Sequence, residues 1–349
     1  MKILLLPISL LYHIILSIRH KLFDWHLLKS KKSDQPVICV GNLALGGTGK
    51  TPHVEYLIDL LSEQYRVCVV SRGYGRKTKG FQLANTNCGV ETVGDEPLQY
   101  VGKFNDILVA VDENRNEAIE LMNTMDRPPE LYLLDDAFQH RSTQAGLNIL
   151  LTAYDKPYFN DFLVPAGTLR DVKSAANRAD IIVVSKSPKA LDAEQQETFI
   201  KKLKPLPHQK VFFSHVEYQP LEPWTDAASD LSTEKAEHVL LFCGIAQPKP
   251  LIEELSNRYK HLETITFSDH HTFTGNDIWT LLQKFDQMPG KQKILVTTEK
   301  DLARLTNSPY LCQFDSVPLF VAPIKVNIDQ EENFNKIILD YVRKDPHHS

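Results

Sequence analysis

The chain has 349 residues, 42% hydrophobic and 24% charged, which is typical of a globular protein and long enough for two domains. A formal net charge of −5 provides no broad positive field, so we expect no nucleic-acid partner. The five cysteines are scattered without a Cys-x-x-Cys pair, which favours reduced thiols in the cytosol over a zinc site.

The N-terminal segment is apolar and is followed by positive charge. Residues 3–18 are mostly Leu and Ile, interrupted by Pro7 and His13, and five Lys or Arg residues follow up to position 32. A secretory signal carries its charge before the apolar run, and a membrane span needs about 20 apolar residues. We therefore predict that residues 1–33 form a helix in the membrane interface, with its basic residues near anionic headgroups. A buried core helix and a true span are the alternatives.

Short apolar runs alternate with helical spacing over the next part of the chain, which predicts a mostly parallel α/β sheet in a domain over 34–215. Prolines interrupt this pattern, and we predict a linker over 216–237. A second, smaller α/β domain is predicted over 238–343, with a helix around 250–259. The predicted strands are 37–40, 67–71, 107–111, 131–134, 148–151, 181–184, 211–214, 239–242, 294–296 and 319–321.

The strongest functional pattern follows the first predicted strand. Residues 41–52 read Gly-Asn-Leu-Ala-Leu-Gly-Gly-Thr-Gly-Lys-Thr-Pro, and a stretch with helical spacing follows. A strand, a glycine-rich turn, a Lys-Thr pair and a helix form the layout of a P-loop, whose backbone N–H groups hold phosphate oxygens. Ala44 stands where the full pattern has glycine, and Gly46 and Gly47 are expected to supply the flexibility. The predicted nucleotide-binding residues are Leu45, Gly46, Gly47, Thr48, Gly49, Lys50 and Thr51.

A second pattern has the Walker B layout, because the apolar run at 131–134 ends in two carboxylates. In P-loop proteins such a carboxylate and the P-loop hydroxyl hold Mg²⁺, while the P-loop lysine contacts the β- and γ-phosphates. The loop at 93–97, Val-Gly-Asp-Glu-Pro, adds a further carboxylate pair. The predicted metal ligands are Thr51, Glu96, Asp135 and Asp136.

Several loops at the ends of predicted strands mix turn residues with arginine, and the ends of parallel strands are where α/β sheets bind ligands. The loops at 71–76, 139–141 and 164–171 are predicted to contact an anionic substrate, although solvated turns are the alternative for each one. The predicted substrate residues are Arg72, Tyr74, Arg76, Gln139, His140, Arg170 and Asp171.

Two groups are candidates for moving a proton. Phosphoryl transfer to a hydroxyl needs a carboxylate as acceptor, and Asp95 is a candidate by residue type. His270 lies in the second predicted domain and could tune a carboxylate or contact phosphate across a cleft. Residues 297–301, Thr-Thr-Glu-Lys-Asp, do not fit the guanine-reading pattern Asn/Thr-Lys-x-Asp, so ATP is the expected nucleotide.

These motifs together resemble one family, the tetraacyldisaccharide 4'-kinases, which are the lipid A 4'-kinases of Gram-negative bacteria. The resemblance extends from the apolar N-terminus to position 304. Eight motifs stand in the family's order, at residues 41–52, 71–76, 93–97, 133–141, 164–171, 244–248, 268–273 and 297–301.

The resemblance implies two α/β domains with a cleft between them, and transfer of the ATP γ-phosphate to the 4'-hydroxyl of a tetraacylated glucosamine disaccharide 1-phosphate. It implies Asp95 as catalytic base, supported by His270, with Lys50 on the phosphates and ATP and Mg²⁺ as cofactors. Asp171 departs from the family, which often has Glu there. The expected partners are the lipid A disaccharide precursor and the inner membrane surface, with the protein peripheral or monotopic on the cytoplasmic face. No obligate protein partner is expected.

Two rival functions remain open at this stage. One is a nucleotide-driven ATPase switch, but such proteins of the dimeric type often carry Lys where this chain has Leu45. The other is a non-enzymatic membrane-binding module, which leaves Lys50 and Thr51 and the pair Asp135 and Asp136 without a role.

Overall fold

A computed structural model describes residues 2–229, 231–290, 292–306 and 308–344. The strands are β1 (Lys31–Lys32), β2 (Val37–Asn42), β3 (Val67–Ser71), β4 (Gln82–Leu83), β5 (Leu108–Val111), β6 (Leu131–Asp135), β7 (Thr143–Gln144), β8 (Leu147–Ala153), β9 (Ile181–Ser185), β10 (Lys210–Tyr218), β11 (Glu222–Pro223), β12 (His238–Cys243), β13 (His261–Thr266), β14 (Lys293–Thr298), β15 (Leu319–Ala322) and β16 (Ile324–Ile328). The α-helices are α1 (Lys2–Asp24), α2 (Lys50–Leu61), α3 (Val90–Val93), α4 (Asp95–Lys103), α5 (Arg115–Asn123), α6 (Ala193–Leu203), α7 (Asp226–Ser229), α8 (Lys249–Arg258), α9 (Gly275–Gln287), α10 (Glu299–Thr306) and α11 (Glu331–Arg343).

The larger sheet has nine strands in the order β16-β10-β9-β8-β2-β6-β3-β5-β4, and we call it, with its helices, the first unit. Its interior pairs are parallel, and only the edge pairs β10–β16 and β4–β5 are antiparallel. Neighbouring residues such as Cys39 and Val40 belong to separate apolar clusters, since successive side chains of a strand point to opposite faces. Burial of both faces explains why these strands read as continuous apolar runs.

The second unit is a five-stranded sheet in the order β11-β15-β14-β12-β13, parallel except at β11. Helices α8 and α9 bury Leu251, Leu255, Ile278, Leu281 and Phe285 in its two apolar clusters. All strands predicted from the sequence are present in the two units. Strand β13 was not predicted, because it is an edge strand whose residues alternate between exposed and half-buried and include polar ones.

The C-terminal part of the chain returns to the first unit. Strand β16 pairs with β10, and α11 buries Phe334, Ile338 and Val342 in a cluster that also contains Val54 of α2. The predicted second domain, 238–343, is therefore wrong at its C-terminal end. The predicted linker is also not structureless, since β11 pairs with β15. A helix's apolar spacing shows that it has a buried face, but not which of two sheets that face covers.

Helix α1 lies on the surface of the first unit and buries only a narrow stripe, which contains Ser9, Leu16, His20 and Phe23. This differs from the core-helix alternative, because most of its large apolar side chains are exposed. The exposed ones are Leu6, Ile8, Leu10, Leu11, Ile14, Ile15 and Ile18. Across the residues with described positions, no helix has the length and apolar character to cross a bilayer.

Polar contacts fasten α1 to the first unit near its C-terminal end. His20 Nε2 lies 2.6 Å from Oδ1 of Asp171, a carboxylate that is 1% exposed and that also accepts from Arg178 at 3.5 Å. Arg141 donates to the carbonyl of His20 at 3.0 Å and to Asp24 at 2.7 Å. The buried charge on Asp171 therefore has both of its oxygens paired, one of them directly to the helix.

We expect Asp171→Asn to lower the free energy of unfolding by about 1–3 kcal/mol, because Arg178 and His20 would lose a buried anionic partner. Urea denaturation provides the measurement. Asp24→Asn is the matched control, since that carboxylate is exposed and its pairing with Arg141 is expected to contribute less than about 1 kcal/mol. Equal losses in the two variants would contradict the anchoring role of Asp171.

Phe334→Ala is expected to destabilise the first unit by about 3–5 kcal/mol, because it leaves a cavity between α11 and the large sheet. Hydrogen exchange should then accelerate in β10 and β16 and remain slow in β12 and β14. Lys336→Ala, on the exposed side of the same helix, should change stability by less than about 0.5 kcal/mol. Faster exchange confined to the second unit would contradict the placement of α11.

Candidate active site

The glycine-rich turn between β2 and α2 contains two residues with a left-handed backbone. Gly46 and Gly49 have φ of +100° and +83°, the left-handed region that favours glycine. Thr48 is fixed by Asn42, whose Nδ2 donates to its hydroxyl at 2.7 Å. Ala44 forms a β-bridge with Leu169, so its extended backbone does not need a glycine. Gly46 and Gly47 were expected to provide the unusual backbone that Ala44 does not. Gly46 has a left-handed φ, whereas Gly47 does not, and Gly49 is the second left-handed residue.

The two carboxylates after β6 differ in their surroundings. Both oxygens of Asp136 are bound by Arg170, and Lys50 Nζ lies 3.7 Å from Oδ2. Burial tends to raise the pKa of Asp136, but Lys50 and Arg170 outweigh it and hold the pKa below its usual range. Asp135 is 4% exposed, and its Oδ1 has no hydrogen-bond partner. Burial, with the charges of Glu96 and Asp136, raises the pKa of Asp135 to about 7.

An unpaired, buried carboxylate oxygen is the kind of group that a cation would satisfy. Asp135 lines the same cleft as Thr51 and Glu96, which fits Mg²⁺ bound by one or two carboxylates together with phosphates and waters. Within the described part of the chain, no cluster of three or more His, Cys, Asp or Glu side chains forms a complete metal site. Asp136 lines the same cleft, with Arg170 and Lys50 as its partners, and its predicted role as a ligand stays a prediction.

Asp95 and His270 meet across the boundary between the two units. Asp95 begins α4 in the first unit, and His270 follows β13 in the second, with Nδ1 2.8 Å from Oδ2 of Asp95. Arg304 of α10 donates to the same oxygen from Nε at 2.9 Å, and its Nη1 bonds Asp301 at 2.8 Å. Burial tends to raise the pKa of Asp95, but the hydrogen bond from His270 and the charge of Arg304 hold it well below its usual range.

His270 is the member of this pair that lines the cleft, and Asp95, 4% exposed, lies behind it. The imidazole packs on the ring of Tyr74 with centroids 5.2 Å apart. Its Nδ1 faces Asp95, so Nε2, which is 3.6 Å from Asp269, is the ring nitrogen left for a ligand. An imidazole that a carboxylate contacts at one ring nitrogen has the geometry of a proton acceptor at the other.

The cleft has a volume of about 1180 Å³ and is lined by both units and by α1. It brings together most of the predicted substrate residues with the P-loop and His270. Those present in its lining are Arg72, Tyr74, Gln139, His140 and Arg170.

Two predicted substrate residues are corrected by the structure. The guanidinium of Arg76 turns back to bond Glu113 at 2.5 Å and the carbonyl of Gly80 at 2.9 Å, so it closes its own loop. Asp171 is buried against His20 and Arg178, as described for α1. In both cases the sequence shows a charge in a turn but does not show whether a partner within the fold neutralises it.

The cleft is also lined by two arginines, Arg19 and Arg115, that the sequence analysis does not include among the site residues. Arg115, at the start of α5, is 3% exposed, and its Nε has no hydrogen-bond partner. Arg19 extends from α1 into the same cleft. Burial, with the charges of Arg115, Arg19 and Arg72, lowers the pKa of His140 to about 4, which keeps its imidazole neutral near pH 7. Arg115 follows the carboxyl end of β5, and that position alone was a signal for a ligand-facing residue.

Known proteins with similar sequences and folds belong to one family. The model of the family described as Tetraacyldisaccharide-1-P 4'-kinase matches residues 1–343. Tetraacyldisaccharide 4'-kinases of Phocaeicola vulgatus and Flavobacterium johnsoniae are 43% and 45% identical, with 99% and 98% of this chain and 96% and 97% of theirs covered. A crystal structure of LpxK from Aquifex aeolicus in complex with ATP superposes with a TM-score of 0.73 at 30% identity, covering 98% of this chain and 99% of that one. The chain therefore belongs to the tetraacyldisaccharide 4'-kinase family.

Proposed function

We propose that the cleft catalyses ATP-dependent transfer of the γ-phosphate to the 4'-hydroxyl of a tetraacylated glucosamine disaccharide 1-phosphate, the reaction of this family in lipid A biosynthesis. The observation that carries the proposal is the joint lining of one cleft by the P-loop lysine, Lys50, and by His270 of the second unit. ATP bound at Lys50 and a sugar hydroxyl near His270 would then share one space, as in-line transfer requires.

The P-loop would bind the nucleotide through the backbone N–H groups at the N-terminus of α2, with Lys50 on the β- and γ-phosphates. Thr51, Asp135 and Glu96 would hold Mg²⁺, which supplies charge neutralisation for the transferring phosphoryl group. Arg170 keeps Asp136 beside Lys50, so the lysine is positioned by a carboxylate whose second partner is fixed.

At the acceptor end, Arg72, Arg115 and Arg19 give the cleft the positive charge that a phosphorylated sugar needs, and guanidinium groups suit phosphate oxygens geometrically. His140, whose pKa is lowered by burial and by these cations, stays neutral and can still exchange hydrogen bonds with sugar hydroxyls. Arg19 belongs to α1, whose exposed apolar side we propose lies in the cytoplasmic face of the inner membrane, where a substrate with four acyl chains resides.

The hydroxyl proton would pass to the Asp95–His270 pair. The resemblance implies Asp95 as the base, but the pairing of Asp95 with His270 and Arg304 makes its carboxylate a weak proton acceptor. His270 Nε2 is the atom that faces the cleft, and Asp95 would orient the ring and stabilise the imidazolium that forms.

We expect radiolabel from γ-labelled ATP to appear on the tetraacyl disaccharide 1-phosphate when the protein, Mg²⁺ and lipid are mixed in detergent and resolved by thin-layer chromatography. Lys50→Ala should reduce labelling by at least about 100-fold, because it removes charge stabilisation from the transferring group. Lys189→Ala, an exposed lysine outside the cleft, is the control. Release of phosphate from ATP without lipid label would favour the ATPase switch.

Arg304→Ala should raise the pKa of Asp95 toward its ordinary value, because the cation that stabilises the carboxylate is removed. Removal of this cation also makes proton binding by the Asp95–His270 pair as a whole more favourable, so the acidic limb of the pH dependence of kcat should move to higher pH in the variant. Arg304→Lys, which keeps the charge, should restore part of the shift. An unchanged pH profile in both variants would remove Arg304 as the residue that positions this pair.

A further inference from the structure

The segment between β8 and β9 contains a turn, residues 161–168, that presents one exposed aromatic ring. Phe162 is 56% exposed, whereas the next residue, Leu163, is buried. Asp161 fixes the turn by accepting from the backbone N–H groups of Phe162 at 2.8 Å and Thr168 at 3.1 Å. A Cβ on Gly167 would lie 2.2 Å from the carbonyl oxygen of Phe162, so the backbone is closely packed there. The exposure of Phe162 is therefore imposed by an ordered turn.

This turn is joined directly to the apolar side of α1. Ser9 Oγ donates to the carbonyl of Leu163 at 2.9 Å and accepts from the backbone N–H of Ala166 at 3.1 Å. Ser9 lies between Ile8 and Leu10, which are both exposed. The turn that carries Phe162 is thus fastened to α1 at a residue that lies between two exposed apolar side chains.

Positive charge accompanies the ring. Lys173 Nζ lies 5.7 Å from the centroid of Phe162 and donates to the carbonyl of Phe159 at 2.7 Å. Lys156, also exposed, lies 3.6 Å from Asp161. An apolar ring flanked by lysines matches a bilayer surface, where rings enter the acyl boundary and cations stay among anionic headgroups. This complementarity favours a lipid surface over a second protein.

We propose that Phe162, with Lys173 beside it, forms a second membrane contact of this protein, on an anionic lipid bilayer alongside α1. The inference rests on the membrane association included in the proposed function. A single helix lying in an interface leaves the body free to roll about the helix axis. An off-axis contact removes that freedom, and it sets the orientation of the cleft, because Tyr12, Leu16 and Arg19 of α1 line the cleft.

The test is sedimentation of the full chain with vesicles of phosphatidylethanolamine and phosphatidylglycerol. Phe162→Ala should weaken binding about tenfold, the effect of withdrawing one aromatic ring from the interface. Trp279→Ala is the matched control, since this ring is 60% exposed but belongs to the second unit. Lys173→Gln should weaken binding to these vesicles and leave binding to neutral phosphatidylcholine vesicles unchanged. Melting temperatures of all variants verify that the fold is intact.

Parental binding by Phe162→Ala, or an equal loss in Trp279→Ala, would overturn the second contact. Sedimentation velocity without lipid provides a further test, because a parent dimer that dissociates in Phe162→Ala would show that a second copy covers the ring, and would overturn the lipid assignment. A parent that fails to bind vesicles would also overturn the inference. The detergent kinase assay reports on the proposed function separately, since it does not need vesicle binding.

Discussion

The ion-pair cluster at Asp95 is the interaction on which the organisation of the cleft depends. One carboxylate oxygen of the first unit accepts from an imidazole and a guanidinium of the second unit. A buried charge of this kind is tolerated only when it is paired, so separation of the units would expose Asp95 to water or leave it unpaired. The position of His270 and the contact between the two units therefore both depend on the Asp95 carboxylate.

Elsewhere in the cleft, charged side chains differ in whether a partner within the protein pairs with them. Asp136 is neutralised by Arg170 and Lys50, and Asp135 is left with an unpaired oxygen and a raised pKa. Two neighbouring carboxylates at the end of one strand thus differ in their surroundings, because Asp136 has two cationic partners, whereas one oxygen of Asp135 has no hydrogen-bond partner. A buried cation of the cleft also has an unpaired polar atom, since Arg115 Nε has no hydrogen-bond partner.

Sequence reasoning was sufficient where local chemistry determines structure. Apolar runs predict most of the long strands. The glycine-rich run before Lys50 predicts a turn between a strand and a helix, because the positive φ of Gly46 and Gly49 favours glycine. It was insufficient where a charged side chain chooses between solvent, ligand and a distant partner. Arg76 shares its loop with Arg72, and Asp171 follows Arg170. Of these four, only Arg72 and Arg170 line the cleft, whereas Arg76 and Asp171 pair with other side chains of the protein. Only tertiary packing distinguishes the two cases.

The return of the C-terminus to the first unit affects how the chain matures on the ribosome. After strand β10 the chain leaves the first sheet and enters the second unit. The antiparallel neighbour of β10, strand β16, is synthesised only after the second unit. Until then, β10 is an edge strand with unsatisfied backbone groups, a state that invites pairing with other chains. More than a hundred residues must therefore be translated after β10 before β16 can pair with it and complete the first sheet. The second unit is synthesised during that interval and folds as an insertion in the first unit.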